Sequence, residues 1–299
     1  MKYGIYYAYW NDSWNANSFL DYVDKVSKLD FDILEINASP LAEYSDKQIN
    51  ELDKKAKDNN IILTTGYGPI AEHNIGIKNK RNKILDWYKK VFSNMQRLNI
   101  QIIGGAIYSY WPIDYSKTIN KKEDWKKAVE GTSILASLAS KYNINICCEV
   151  LNRFENYLLN TSKEAVSFVK EVNLSNVKVM LDTFHMNIEE ESFSNAIKEA
   201  GKYLGHFHLG EANRRLPGEG RMPWNEILDA LISINYKGYA VMEPFVKKGG
   251  QVGADIKIWR NLLEDISEDK LDLSAKNSVN FLKTLESARR KVKKIKINA

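Results

Sequence analysis

The run NICCEVL (145–151), with VKVMLD (177–182), LGHFHLG (204–210) and YAVMEPF (239–245), decides the fold. Each run is short and apolar, rich in β-branched, aromatic or sulfur side chains. Each carries one metal-type side chain at its C-terminal end: Glu149, Asp182, His208 and Glu243. Working outward, four similar runs precede them, KYGIYYAY (2–9), DILEIN (32–37), IILTTGY (61–67) and QIIGGAIY (101–108). Between the runs lie helix-length segments with apolar residues three and four apart, such as Phe19, Tyr22, Val23, Val26 and Leu29, then Ile84, Leu85, Tyr88, Val91, Phe92 and Met95. Asn160, Thr161 and Ser162 followed by Glu164 carry the capping chemistry of a helix start.

Eight strands alternating with helices predict a parallel sheet with crossover helices, and about 250 residues is the usual span of a closed (β/α)₈ barrel. The expectation is an α/β protein, a single TIM barrel with a C-terminal helical extension. The chain reads as one domain over 1–299, the barrel at about 1–265 and a C-terminal helix with a basic tail at about 266–299, its helical period starting near 273. No G-x-G-x-x-G follows the first strand and no G-x-x-x-x-G-K-[ST] occurs, so the main nucleotide signatures are missing.

Composition narrows the class. Of 299 residues 44% are hydrophobic, enough for a large core, and no apolar run approaches the roughly 18 residues of a membrane span. The opening MKYGIYYAYWND reads as a strand entering a turn rather than a signal peptide. Cys147 and Cys148 are the sole cysteines, adjacent on a strand and so facing opposite ways, which excludes a disulfide framework and a cysteine zinc site. A cytoplasmic protein is expected. The net charge of +5 invites a nucleic-acid partner, but Arg289, Arg290, Lys291, Lys293, Lys294 and Lys296 account for it; without them 37 basic residues face 38 acidic ones. The excess is a helix end, whose cations suit the C-terminal dipole. Neither a nucleic acid nor a membrane is expected as a partner.

In such a barrel chemistry sits at the C-terminal strand ends. A charge on a strand covered on both faces is costly without a partner, and four at one depth on consecutive strands point to a shared divalent cation. Alternation agrees: with Glu149, Asp182 and Glu243 facing the axis, Ile146, Cys148, Val179, Leu181, Ala240 and Met242 face the helices. Three carboxylates and one imidazole suit Mn²⁺, Co²⁺ or Mg²⁺, and the set also admits zinc. His206, one layer deeper, and His73 read as hydrogen-bonded supporting residues. Glu155, His185, Glu211 and Arg214 stand on loops beyond the strands as candidates for substrate contact. Tyr6, Trp10, Trp111 and Phe245 are candidates for an apolar wall. Gly249, Gly250 and Gly253 with Lys247 and Lys248 form a weak phosphate signal.

EVLNRFE (149–155), MLDTFHMNIEE (180–190), GHFHLGEANRRLPGEGRMPW (205–224), VMEPFV (241–246) and GGQVGADIKIWR (249–260) closely resemble the D-tagatose 3-epimerase family, above all its D-psicose (D-allulose) 3-epimerase branch. The likeness extends to GIYYAYW (4–10), FDILEI (31–36), TTGYGP (64–69) and IGGAIYSYWPID (103–114), nearly the whole barrel. It implies that Glu149, Asp182, His208 and Glu243 bind one metal per subunit. It further implies that Glu149 and Glu243 are the acid/base pair, and that Glu155, His185 and Arg214 hold the O1–O3 side of the sugar. Tyr6, Trp111 and Phe245 would line the rest. It also implies a homotetramer or homodimer. Ile70-Ala71-Glu72 departs from the family pattern and places a carboxylate near the pocket mouth; the basic tail lies outside the resemblance.

The implied reaction inverts C3 of a ketohexose such as D-fructose or D-psicose through a cis-enediolate, one carboxylate removing a proton and the other returning one to the opposite face. An aldose–ketose isomerase of the same superfold would instead move hydrogen between C1 and C2. A metal-dependent endonuclease of this barrel class would need a multi-zinc cluster and a basic face, against four histidines and a near-neutral body.

Overall fold

All eight apolar runs become parallel strands, β1 (Lys2–Tyr6), β2 (Ile33–Asn37), β3 (Ile62–Gly66), β4 (Ile102–Gly105), β5 (Asn145–Glu149), β6 (Val177–Asp182), β7 (Leu204–Leu209) and β8 (Tyr239–Met242). They pair in sequence order and close, with Lys2 beside Tyr239 and Ile5 beside Met242. The computed structural model describes residues 1–16 and 18–298, leaving out the side chains at 294 and 296–298, so the tail lysines Lys294 and Lys296 lie outside the described side chains.

The helices are α1 (Leu20–Lys28), α2 (Asp46–Asp58), α3 (Arg81–Arg97), α4 (Lys121–Ser140), α5 (Ser162–Val172), α6 (Thr183–Glu189), α7 (Phe193–Ala200), α8 (Trp224–Ser233), α9 (Gly250–Ile256) and α10 (Glu268–Asn298). Their ends are set by short polar side chains. Ser45 and Gln48 form a capping box on α2, Thr161 accepts the Glu164 N–H on α5, and Asn173 closes α5 in the left-handed region. The long helix starts at Glu268, ahead of the apolar period near 273, because its first turn carries Glu268 and Asp269, which favour a helix N-terminus. Among the described residues no helix is long and apolar enough to cross a membrane.

Strand alternation divides the interior. Ile146, Cys148, Val179, Leu181, Ala240 and Met242 pack outward into the main core under the helices, whereas Cys147 faces the axis with Ile102 and Met180, and Tyr239 packs against them. Both cysteines are free, and burial pushes the Cys147 thiol up to about 12. Helix α10 runs along the outside of the barrel, against α8 and the segment from Met1 to Trp10. Glu286 accepts from the Tyr3 hydroxyl at 2.9 Å, the Met1 amine at 3.1 Å and Arg290 at 2.8 Å, and Tyr9 donates to the Leu271 carbonyl. The basic tail is partly tied to the body: Arg289 pairs with Asp229, and Lys293 Nζ reaches the Ile232 carbonyl at 3.0 Å.

Candidate metal and substrate site

Four side chains meet over the open end of the barrel. Glu149 ends β5, Asp182 ends β6, His208 lies in β7 and Glu243 follows β8, and one donor atom of each lies within 4.8 Å of all the others. Asp182 spends Oδ1 on capping α6, accepting the Phe184 N–H at 2.6 Å. Its buried Oδ2 has no hydrogen-bond partner among the described residues, and neither has His208 Nδ1. The two stand 3.9 Å apart, and His208 Nδ1 lies 3.7 Å from Glu243 Oε1. Buried polar atoms are normally satisfied, so two orphans aimed at one point mark a place for a bound group. Burial and the nearby Glu243 also push the Glu149 carboxyl well above the usual carboxylate range. A divalent cation resolves both features at once, and an oxygen-rich donor set with one imidazole suits it.

The imidazole is aimed by a residue outside the four. Glu35, fully buried in β2, accepts from His208 Nε2 at 2.6 Å, His206 Nε2 at 2.7 Å and Thr64 Oγ1 at 2.7 Å. With Nε2 bonded to Glu35, His208 presents the Nδ1 lone pair to the cage, the carboxylate–histidine arrangement that orients metal ligands. Glu35, His206 and His208 themselves form a second group of ligand-type atoms, but both Glu35 oxygens already accept hydrogen bonds. His206 is therefore a supporting residue, as expected. His73 likewise stacks on Trp87 with ring centroids 4.0 Å apart and bonds Tyr67.

A polar arm flanks the cage. His185, buried on α6, accepts at Nδ1 from the Asn152 backbone N–H at 3.2 Å, which leaves the proton on Nε2, 3.9 Å from Glu149 Oε1. Burial lowers its affinity for a second proton. The Arg214 guanidinium lies 3.6 Å over the Phe184 ring and bonds Glu155 at 2.9 Å, while its unpartnered Nη1 stands 3.6 Å from Glu243. Burial would raise the Glu155 carboxyl, but Arg214 and His185 outweigh it and hold it below its usual value. The cavity of about 420 Å³ is lined by Glu149, Glu155, His185, His208, Arg214 and Glu243, with Tyr6, Trp111 and Phe245 among its apolar walls. All ten expected site residues thus converge, nine lining the cavity and Asp182 beside His208 in the cage.

Other expectations are corrected. Glu211 does not face the cavity: it is fully buried and accepts from Gly218 N at 2.8 Å, Met222 N at 3.0 Å and Trp224 Nε1 at 2.7 Å, bracing the loop into α8. Trp10 turns away and bonds Asp272 of α10 at 2.7 Å. Glu72 is exposed and does not line the cavity, where Ile70 does. In the weak phosphate signal near 250, Gly250 serves close packing, since a Cβ there would meet the Asp12 carbonyl at 2.4 Å, and Lys247 Nζ bonds the Trp10 carbonyl. Among the lining and supporting residues that the sequence did not single out are Glu35 and Trp14. Glu35 obeys the logic that singled out Glu149, a carboxylate on a doubly covered strand, but sits mid-strand. Trp14 lies in an aperiodic loop.

A family model describing a xylose isomerase-like TIM barrel matches residues 23–267. The chain is 53% identical over 283 residues to a D-psicose 3-epimerase of Ruminiclostridium cellulolyticum, covering 94% of this chain and 96% of that one. It is 52% identical to a D-psicose 3-epimerase of Agrobacterium fabrum, covering 94% and 98%. A crystal structure of D-psicose 3-epimerase with D-tagatose from Clostridium cellulolyticum H10 superposes with a TM-score of 0.93 at 52% identity, covering 96% of this chain and 99% of that one.

Proposed function

Because the chain belongs to the D-psicose 3-epimerase family of xylose isomerase-like TIM barrels, we propose that it inverts C3 of free ketohexoses, interconverting D-fructose and D-psicose and related C3 epimers. The observation that carries the reading is the cage itself, in which two carboxylates from β5 and the end of β8 share one focus with two orphaned donor atoms. A divalent ion held there by Glu149, Asp182, His208 and Glu243, with Mn²⁺ or Co²⁺ favoured and Mg²⁺ compatible, would supply Lewis-acid stabilisation of charge developing on the sugar oxygens.

The chain's own residues do the rest. Glu149 and Glu243 come from strands separated by β6 and β7, so they address a bound sugar from different sides. One removes the C3 proton to give a cis-enediolate, and the other, protonated, returns a proton to the opposite face; the reverse reaction exchanges their roles. His185 offers its Nε2–H to a sugar oxygen, held in that tautomer by Asn152. Arg214 and Glu155, locked together, orient the O1–O3 side, and Tyr6, Trp111 and Phe245 shield the reacting carbon from water. We read the 299 residues as one folding unit assembled as a homodimer or homotetramer in the cytoplasm.

The test is a single assay. Purified protein with Mn²⁺ or Co²⁺ is offered D-fructose, D-psicose, D-tagatose and D-sorbose, and the products are separated by chromatography. C3 epimers whose C3 hydrogen exchanges with solvent deuterium support the reading. Aldose products, or epimers formed without exchange, overturn it.

A further inference from the structure

We propose that Asp255 is a positioning residue for the sugar pocket: by accepting the indole N–H of Trp14 it holds that ring as the pocket's outer wall. The proposal rests on the 3-epimerase reading and adds residues outside the ten treated above.

Trp14 belongs to the irregular loop between β1 and α1, and its side chain is only half-buried, so core packing alone does not fix it. Hydrogen bonds do. Its carbonyl accepts from Asn37 Nδ2 at 2.8 Å and from the Tyr7 hydroxyl at 2.6 Å, and its ring N–H donates to Asp255 Oδ2 at 2.8 Å. Thus held, the ring lies edge-on to Trp111 and to Phe245, with centroids 5.9 Å away in each case. Asp255 comes from α9, which follows β8, the strand beside β1, and lines the same cavity. Backbone contacts dock α9 against the loop, Val252 N–H bonding the Asp12 carbonyl at 3.0 Å. Among the described residues the bond to Asp255 is the hydrogen bond of the Trp14 ring, and it adds a fixed direction to the ring's contacts with Trp111, Phe245 and Tyr6.

Neither residue belongs to the four-residue cage, which comes from β5, β6, β7 and the residue after β8. The pair shapes the wall against which a sugar is held, so its loss shows in binding. A ring that must be ordered anew at each binding event costs affinity, because preorganisation is lost.

The experiment uses the full-length Mn²⁺-loaded protein and four variants: Asp255→Ala, Asp255→Asn, Trp14→Phe and the double Trp14→Phe/Asp255→Ala. Each alanine or phenylalanine single variant is expected to raise KM about five- to tenfold, the scale of one hydrogen bond, with a much smaller change in kcat. Asp255→Asn, which keeps an acceptor oxygen, falls between wild type and alanine. The double variant is no worse than the more affected single one, since both remove the same bond. Amide hydrogen exchange over 10–16 and 250–257, measured without sugar, should rise in both single variants. Exchange unchanged from wild type, KM unchanged, or KM effects that multiply in the double variant each overturn the proposal. A wild-type protein that turns over no ketohexose overturns the 3-epimerase reading instead, while the exchange measurement still decides whether Asp255 holds Trp14.

Discussion

His208 has two nitrogens with opposite duties, and the difference between them organises the site. Nε2 is tied to Glu35 at 2.6 Å, and Nδ1 is buried without a partner. Glu35→Gln keeps the shape of that tie but removes its charge and turns a donor group toward His206 or His208. Metal affinity should fall about 10- to 100-fold, the usual effect of losing a ligand's supporting carboxylate. Competition against a chromophoric chelator measures this without any sugar. The two proposed acid/base carboxylates make a different expectation. Glu149→Gln or Glu243→Gln should each lower turnover by at least about 10²-fold with far-UV circular dichroism unchanged; full activity in either variant removes that residue from the acid/base pair. These residues were legible because a charge at the end of a strand covered on both faces has few explanations. Glu35 was not singled out, since its meaning lies in two histidines 171 and 173 positions away. Glu211 was misread for a related reason. A carboxylate two residues past β7 can reach the pocket or fold back onto its own loop, and only the loop's path decides.

At the scale of elements, short apolar runs separated by helix-length segments of period three to four predicted all eight strands, because doubly covered strands must be apolar. The sequence pattern was weaker at boundaries set by polar contacts, as with the polar first turn of α10. It was weakest in loops, where Trp10 and Trp14 stand four residues apart in one segment yet serve α10 and the cavity respectively. The segment between β7 and α8 shows how such a loop is held. Glu211 gathers Gly218 N, Met222 N and Trp224 Nε1 around one buried carboxylate, and Gly220 packs so closely that a Cβ would meet Glu211 Oε2 at 2.2 Å. Glu211→Ala leaves three donors without their acceptor, and each charge-assisted bond is worth about 1.5–3 kcal/mol. Thermal unfolding should show a loss of at least about 3 kcal/mol. Arg214 lies in this loop, so a smaller fall in activity should accompany it. A variant as stable as wild type would mean that solvent replaces the brace at little cost.

Over the whole molecule, the surplus of positive charge and the C-terminal helix are one matter. Arg289, Arg290 and Lys293 engage Asp229, Glu286 and the Ile232 carbonyl, so part of the basic tail acts within the fold. Glu286 is the point where α10 meets the first strand, holding Tyr3 and the Met1 amine together. Burial alone would raise its carboxyl, yet the hydrogen bonds from Arg290, the amine and Tyr3 prevail and leave it below the usual range. A carboxylate whose folded-state pKa is depressed contributes stability in full above its unfolded value, about 4.3, and loses it as pH falls through the folded value. Glu286→Gln should therefore unfold more easily than wild type at pH 7, by about 1–3 kcal/mol for bonds to a buried charge. The gap should narrow as pH falls below about 4.3, where the unfolded-state carboxyl takes up its proton, and close once the folded carboxyl is neutral as well. Because α10 and β1 are bound through this residue, the proposed single folding unit requires both proteins to unfold in one transition, the variant's at lower temperature. A gap that persists undiminished to pH 3 would assign the loss to packing rather than to charge. A separate early transition confined to α10 would split the chain into two units.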